Sequence, residues 1–269
     1  MFVRRLVLFF LFLTLSLKAF PAVFTVTSNA DSGPGTLRDA LTLAAANGII
    51  TQDIIQFNFL DQSTAGRTIT LVSQLPDVSS NLIIDGSTQS GVKFGVSDAR
   101  VALFFQTPIE QTLSGLRISN QHDVIILGLY IKNLADVSKA SQSYSWRGID
   151  IVESYNIQVG QAGKGNVITG FYLPLSTNWL NTGTVSCRNI SIKSSFFNID
   201  ADGETLPTDQ EGPVDLNDVA GQIKVGGTPN EGNVLAYGLS VTQQHSYSAY
   251  DTVSANFIID NISINKASK

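Results

Sequence analysis

The chain has 269 residues, of which 43% are hydrophobic and only 14% charged, with a formal net charge of −5. That length is enough to bury a substantial core, and a charged fraction well below the roughly 25% of ordinary globular proteins excludes a disordered polyelectrolyte and a coiled coil. A single cysteine, Cys187, excludes an internal disulfide and a cysteine-built zinc site, and His122 and His245 are the two imidazoles.

In chain order, the first feature is Arg4 and Arg5 followed by an apolar run from Leu6 to Leu17 and then Lys18-Ala19-Phe20-Pro21-Ala22. A run this short falls below the roughly 20 residues that span a bilayer, so residues 1–22 read as a cleaved secretory signal peptide, with no membrane span after cleavage. The expected location is secreted, extracellular or cell surface. Losing Arg4, Arg5 and Lys18 leaves 14 of the 17 basic residues against 22 acidic ones. With no concentrated basic face, nucleic acid is not an expected partner.

The next element is a helix from Thr36 to Asn47, with Leu37, Ala40, Leu41 and Ala44 on one face and Asn47-Gly48 as a left-handed stop. Everything after it alternates on the scale of strands: Ile69–Val72, Leu82–Ile84, Leu116–Ile118, Val124–Leu127, Leu129–Ile131, Ile149–Val152, Ile190–Ile192, Ile223–Val225 and Ile262–Ile264. Many short strands and one helix exclude a doubly wound α/β fold and leave a sandwich, a barrel or a solenoid.

Repetition separates these. Ile157-Gln158-Val159-Gly160 followed by Gly165-Asn166-Val167-Ile168 recurs as Ile223-Lys224-Val225-Gly226 followed by Gly232-Asn233-Val234-Leu235, at an offset of 66 to 67 residues. Asn189-Ile190-Ser191-Ile192 recurs at Asn261-Ile262-Ser263-Ile264. An offset near 66 divides into about three coils of a parallel β-solenoid whose inward Ile and Val form ladders. Asn156, Asn166, Asn189, Asn198, Asn233 and Asn261 are the candidate corners, because asparagine tolerates left-handed backbone angles.

The segments FTVTSNADSGPGTLRDALTLAAANG from Phe24, DIIQFN from Asp53, ITL from Ile69, LP at Leu75 and LIIDGSTQSG from Leu82 carry a family likeness. They resemble the N-terminal region of large bacterial secreted and surface proteins built as a right-handed parallel β-helix of the pectate-lyase-like kind. The later segments IQVGQAGKGNVITG and NISIKSSFFNIDADGETL resemble that family's repeat, so the likeness covers nearly all of residues 23–269. It implies an all-β right-handed parallel β-helix in which Ser32–Arg38 leads into a capping α-helix over the open first coil. The expected organisation is residues 1–22 as signal, 23–95 as cap and first coils, and 96–269 as further coils. The stretches from Val92 to Ser145 and from Phe171 to Thr184 depart from the repeat and read as loops or irregular coils. No cap is visible after Asn261, which points to a C-terminal continuation or a capping partner. The likeness carries no chemistry, since the family consists mostly of repeats without assigned activity.

Candidate chemistry is sparse. Asp200-Ala201-Asp202-Gly203-Glu204, with Asp209 and Glu211 nearby, is the one acidic segment that would take calcium, but Gly203 stands at the fourth rather than the sixth position of a calcium loop, so it reads as a repeat turn. Asp150 and Glu153 are three apart and fall on opposite strand faces, which disfavours a paired-carboxylate site. His122-Asp123 lacks a nucleophile turn anywhere in the chain and reads as a surface pair. Gly160, Gly163, Gly165 and Gly170 lack dinucleotide spacing and read as corners, and Cys187 reads as a buried thiol. Tyr144, Trp146, Phe171, Tyr172, Trp179, Tyr247 and Tyr250 could stack on sugars or pack loops onto the solenoid wall, and packing is the favoured reading. No catalytic, cofactor-binding or metal-ligating residue is therefore assigned. The expected function is a non-enzymatic extracellular or cell-surface module, an adhesive or glycan-contacting scaffold whose partner is a polysaccharide or cell-surface glycan. The alternative is a polysaccharide lyase or glycoside hydrolase on the same fold.

Overall fold

The computed structural model describes residues 21–106, 114–134, 146–178, 187–206, 212–242, 256–260 and 262–264, the last two segments as strands only. The apolar run Leu6–Leu17, Tyr144, Trp179, Asp209, Glu211, Tyr247, Tyr250 and Asn261 lie outside the described residues.

The chain opens with β1 (Val23–Val26), α1 (Leu37–Asn47), β2 (Asp53–Phe57) and β3 (Thr68–Leu71). Strands then follow in threes: β4 (Leu82–Asp85), β5 (Val101–Phe105) and β6 (Ser114–Ser119), then β7 (His122–Leu127), β8 (Leu129–Asn133) and β9 (Arg147–Val152). The next two sets are β10 (Tyr155–Val159), β11 (Val167–Thr169), β12 (Leu173–Asn178) and β13 (Cys187–Ile192), β14 (Phe196–Phe197), β15 (Val214–Asn217). The order closes with β16 (Val219–Gly226), β17 (Asn233–Leu235), β18 (Leu239–Thr242), β19 (Asn256–Asp260) and β20 (Ile262–Ile264).

Among the described residues every strand belongs to one of three sheets, and every pairing is parallel. The first sheet runs β1-β2-β4-β7-β10-β13-β16-β19, the second β3-β5-β8-β11-β14-β17-β20 and the third β6-β9-β12-β15-β18. From β4 onward the chain visits first, second and third sheet in strict rotation, and each circuit adds one strand to each sheet. The molecule is thus predominantly β, and its strand order is compatible with a β-helix-like solenoid.

Register gives the period. Val124 pairs with Ile157, Ile157 with Ile190 and Ile190 with Ile223, steps of 33 residues. The recurrence at 66 therefore spans two circuits, not the three expected from sequence. The second recurrence relates unlike places: Asn189–Ile192 lies in the first sheet, whereas Ile262–Ile264 is β20 of the second.

The core is a set of ladders. In the first sheet Ile55, Ile84, Ile126, Val159, Ile192 and Val225 stack in register with no side-chain exposure. Ile69, Leu103, Ile131, Ile168, Phe197 and Leu235 do the same in the second. Each such side chain contributes about 1.5–3 kcal/mol of burial, so one circuit is held mainly by its contacts with its neighbours. One apolar cluster runs unbroken from Val26 to Leu235.

The α1 helix joins that cluster through Leu37, Ala40, Leu41 and Ala44, the face expected from sequence. Its start is fixed by Thr36, whose hydroxyl accepts from the Asp39 amide, and by the Asp39 carboxylate, which accepts from the Gly35 amide at 2.9 Å. Arg38 ties the helix to Asp31 at 2.7 Å and to the Gln74 carbonyl at 2.6 Å. Asn47 at its end donates to both oxygens of Asp53.

The expectation of irregular coils is corrected at two places. Within Val92–Ser145, residues 101–105 and 114–133 form β5 to β8 in regular register, and within Phe171–Thr184 the strand β12 covers Leu173–Asn178. The irregular part is the excursion after β4. Its Phe94 and Ala99 pack with Ala102, Tyr130, Val167 and Ala201 in a second small core outside the second sheet. There the Val96 amide donates to the Ala201 carbonyl at 2.9 Å, and Gly95 approaches that carbonyl so closely that a Cβ would collide with it.

Asparagines serve the corners in two ways. Asn156, Asn189 and Asn198 adopt left-handed φ, as expected. Asn166 and Asn233 do not, and are instead buried braces that hold the preceding circuit. Asn166 accepts from the Leu129 amide and donates to the Ile126 carbonyl, while Asn233 accepts from the Ser195 amide and donates to the Ile192 carbonyl.

Candidate functional site

On the outward side of the first sheet, one residue in each of the five circuits from β4 to β16 turns left-handed at the same place. Asn81, Asp123, Asn156 and Asn189 have φ of 53°, 57°, 56° and 55°, and Gly221 takes the same role at 67°. Only residues that tolerate this region without a large steric penalty occupy the column. Their side chains are hydrogen-bonded from circuit to circuit: Asn156 donates to Asp123 at 3.0 Å and Asn189 to Asn156 at 2.9 Å. Asn189 in turn accepts from the Gln222 amide at 3.1 Å. A side chain at Gly221 would strike the Asn189 side-chain oxygen, Oδ1, so glycine is required there twice over.

The left-handed turn is what makes His122-Asp123 the surface pair expected from sequence. Alternation would send the two to opposite faces, but Asp123 breaks the alternation, and His122 Nδ1 lies 2.7 Å from its carboxylate. One position earlier in three successive circuits stands a stack. The His122 and Tyr155 rings lie 5.0 Å apart at 19°, and the Arg188 guanidinium lies 4.7 Å from the Tyr155 ring centre.

Beside the amide column runs an open groove of about 260 Å³ lined by Gln52, Asp123, Ile125, Asn156, Ile157, Gln158, Asn189 and Ser191, with Asp123 its one charged residue. Ile125, Gln158 and Ser191 are register partners in successive circuits, so the floor passes from apolar to amide to hydroxyl along the sheets. Amides and hydroxyls at the spacing of neighbouring strands present donors and acceptors to a polyhydroxylated ligand, and Ile125 offers an apolar face. The sequence marked Asn156 and Asn189 as corners only. Gln158 and Ser191 carried no signal, because their neighbourhood depends on a register that one sequence does not display.

The acidic residues singled out from sequence are held elsewhere. Asp200 accepts from the Tyr130 hydroxyl, from Lys132 at 2.7 Å and from the Ala201 amide, which fastens its turn to the outer face of the second sheet. Burial pushes the Asp200 carboxyl upward, but the bonds from Lys132 and Tyr130 outweigh it and leave it below its ordinary range. Burial, then Asp200, drives the Tyr130 hydroxyl in the opposite direction. Asp202 accepts from the Thr205 hydroxyl and from the Thr205 and Glu204 amides, which lower it to about 2.

Both carboxyls are depressed, so the stability they contribute is present above the unfolded value of 3.8 and is lost as pH falls toward about 2. Urea midpoints measured from about pH 5 to pH 2 should therefore fall, and less steeply in Asp202→Asn. Parallel profiles for the two proteins would refute the assignment.

Asp150 is buried on the outward side of the third sheet, in register with Arg117 and Ser176. Glu153 lies past the end of that strand at a left-handed turn, also buried. Trp146 and Phe171 are core residues. Cys187 opens β13, donates to the Ile151 carbonyl at 3.4 Å and has its thiol pushed up to about 11 by burial. Among the described residues no three His, Cys, Asp or Glu are grouped to hold a metal ion, and no helix is long and apolar enough to cross a membrane. Compared with known proteins, the chain matches no family model and no curated protein.

Proposed function

We propose that the chain is a right-handed parallel β-helix that serves as a non-enzymatic extracellular or cell-surface module and contacts a glycan along the outward face of its first sheet. The handedness rests on the strong preference of crossovers between parallel strands of one sheet, right-handed in about 98% of cases. The export reading rests on Arg4 and Arg5 ahead of a short apolar run. The observation that carries the glycan reading is the column of exposed amides, Asn156 and Asn189, beside a groove floored by Gln158 and Ser191. Sugars are recognised by such fixed amide and hydroxyl groups set next to apolar surface.

The test is retention of the purified chain in gels containing each of a panel of polysaccharides, with calcium and with chelator, while unsaturated-sugar absorbance and reducing ends are recorded. Retention without product is expected, and Asn156→Ala combined with Gln158→Ala should weaken it about tenfold, as for loss of one or two hydrogen bonds. Product formation would overturn the scaffold reading in favour of polysaccharide cleavage.

A further inference from the structure

Asp53 stands where the first pieces of the fold meet. It is 2% exposed, and its carboxylate accepts from the Ala22 backbone amide at 2.8 Å and from the Asn47 side-chain amide at 3.0 and 2.9 Å. Its own amide donates to the Asn81 carbonyl at 2.8 Å, just ahead of β4. The following residue closes the joint, since the Ile54 amide donates to the Ala22 carbonyl at 2.9 Å. Ala22 is thus clamped through both of its backbone groups immediately before β1, and Val23 follows it into register with Ile54. Pro21, one residue earlier, is exposed.

Two small residues end the leader, Ala19 and Ala22, and export enzymes cut after small residues. A cut between Ala22 and Val23 removes both bonds of the clamp. It takes a donor from a buried carboxylate and the acceptor from the Ile54 amide, and buried polar groups are costly without partners. A cut after Ala19 removes neither bond. The difference matters most at β1, which is four residues long and, as the terminal strand of the first sheet, pairs with β2 alone. The amide-to-carboxylate bond is charge-assisted and of the stronger kind.

We infer that the leader is cut after Ala19, a position outside the described residues, and that the exported chain begins Phe20-Pro21-Ala22 with Ala22 kept to fasten β1 to Asp53. Hydrolysis of the Ala19–Phe20 peptide bond by a signal peptidase consumes one water and leaves a carboxylate on Ala19 and an α-amino group on Phe20. This rests on the export reading and goes further by moving the end of the leader from Ala22 to Ala19. The peptidase meets the chain before it folds, so the fold does not steer the cut; it sets which product holds its first strand.

The full chain, expressed with its leader in a secreting bacterial host and recovered from beyond the inner membrane, tests the inference by intact mass and N-terminal sequencing. A start at Phe20 is expected. A start at Val23, or at any other residue, overturns the assignment and leaves the export reading standing, whereas an uncut chain overturns both. The anchor is tested separately by melting temperature. Deleting residues 20–22 from the exported chain should lower it by about 5 °C, the shift expected for two lost hydrogen bonds at this size, while deleting residues 20–21 alone should not lower it. Equal losses from the two deletions, or no loss from either, overturn the role of Ala22.

Discussion

Replacing Phe171 by alanine is expected to destabilise the chain by about 3–5 kcal/mol, read as a lower urea midpoint with an unchanged slope. Phe171 is fully buried, meets Phe105 edge-on with ring centres 6.2 Å apart, and belongs to the continuous core that includes Phe197 and Ile168. With one strand added to each of the three sheets per circuit, the core between them is one circuit wide, so the cavity has few neighbours able to collapse into it. Phe105 of β5 also loses its ring partner, which puts the cost toward the upper part of the range. The same variant separates two meanings of the aromatic residues. A sugar-stacking Phe171 would be exposed, and its truncation would change stability by less than about 0.5 kcal/mol while weakening retention on polysaccharide. A packed Phe171 gives the reverse.

Strand positions were legible because burial on one side imposes period-two alternation, and Val and Ile fill the inward places: Leu82–Ile84, Val124–Leu127 and Ile223–Val225 all fall inside observed strands. Helix α1 was legible from its apolar face and its Asn47-Gly48 stop. The period was misread for a definite reason. Asn166 and Asn233 hold the equivalent place just ahead of Val167 and Val234 as braces, whereas the intervening circuit has a shorter corner, 193–195, with Ser195 in that place. The recurrence therefore skips a circuit and doubles the apparent repeat. The groove was hidden for a different reason. Its floor joins Ile125, Gln158 and Ser191, three chemically unlike residues that only pairing aligns. The tilt of Asp123 toward His122 required a left-handed angle that alternation arguments leave out.

Asp150 was weighed from sequence with Glu153 as a paired carboxylate and disfavoured, and its surroundings support a structural expectation. It accepts from Asn178 at 2.6 Å, from Ser176 at 3.2 Å and from Ser114 at 3.4 Å, with Arg147 Nε at 3.7 Å and Arg117 Nε at 4.0 Å. These groups come from β6, β9 and β12, so one carboxylate ties three successive circuits of the third sheet. Asp150→Ala leaves the Asn178 amide and two hydroxyls without their acceptor and brings two guanidiniums into proximity with nothing between them. Removing one member of a fully buried pair costs about 3–5 kcal/mol. Both arginines are part-exposed and can rehydrate, so about 2–3 kcal/mol is expected here. Asp150→Asn keeps an acceptor for the neutral donors and loses the charge, and should cost about 1 kcal/mol. A catalytic carboxylate behaves in the opposite way: Asp150→Asn would then match or exceed the parent in stability, because active sites hold unfavourable charge, and any turnover on the polysaccharide panel would vanish. Urea midpoints for the two variants, recorded beside polysaccharide retention, decide between them. A graded loss of stability with retention unchanged identifies Asp150 as the tie between circuits, and a stable Asp150→Asn protein overturns that role.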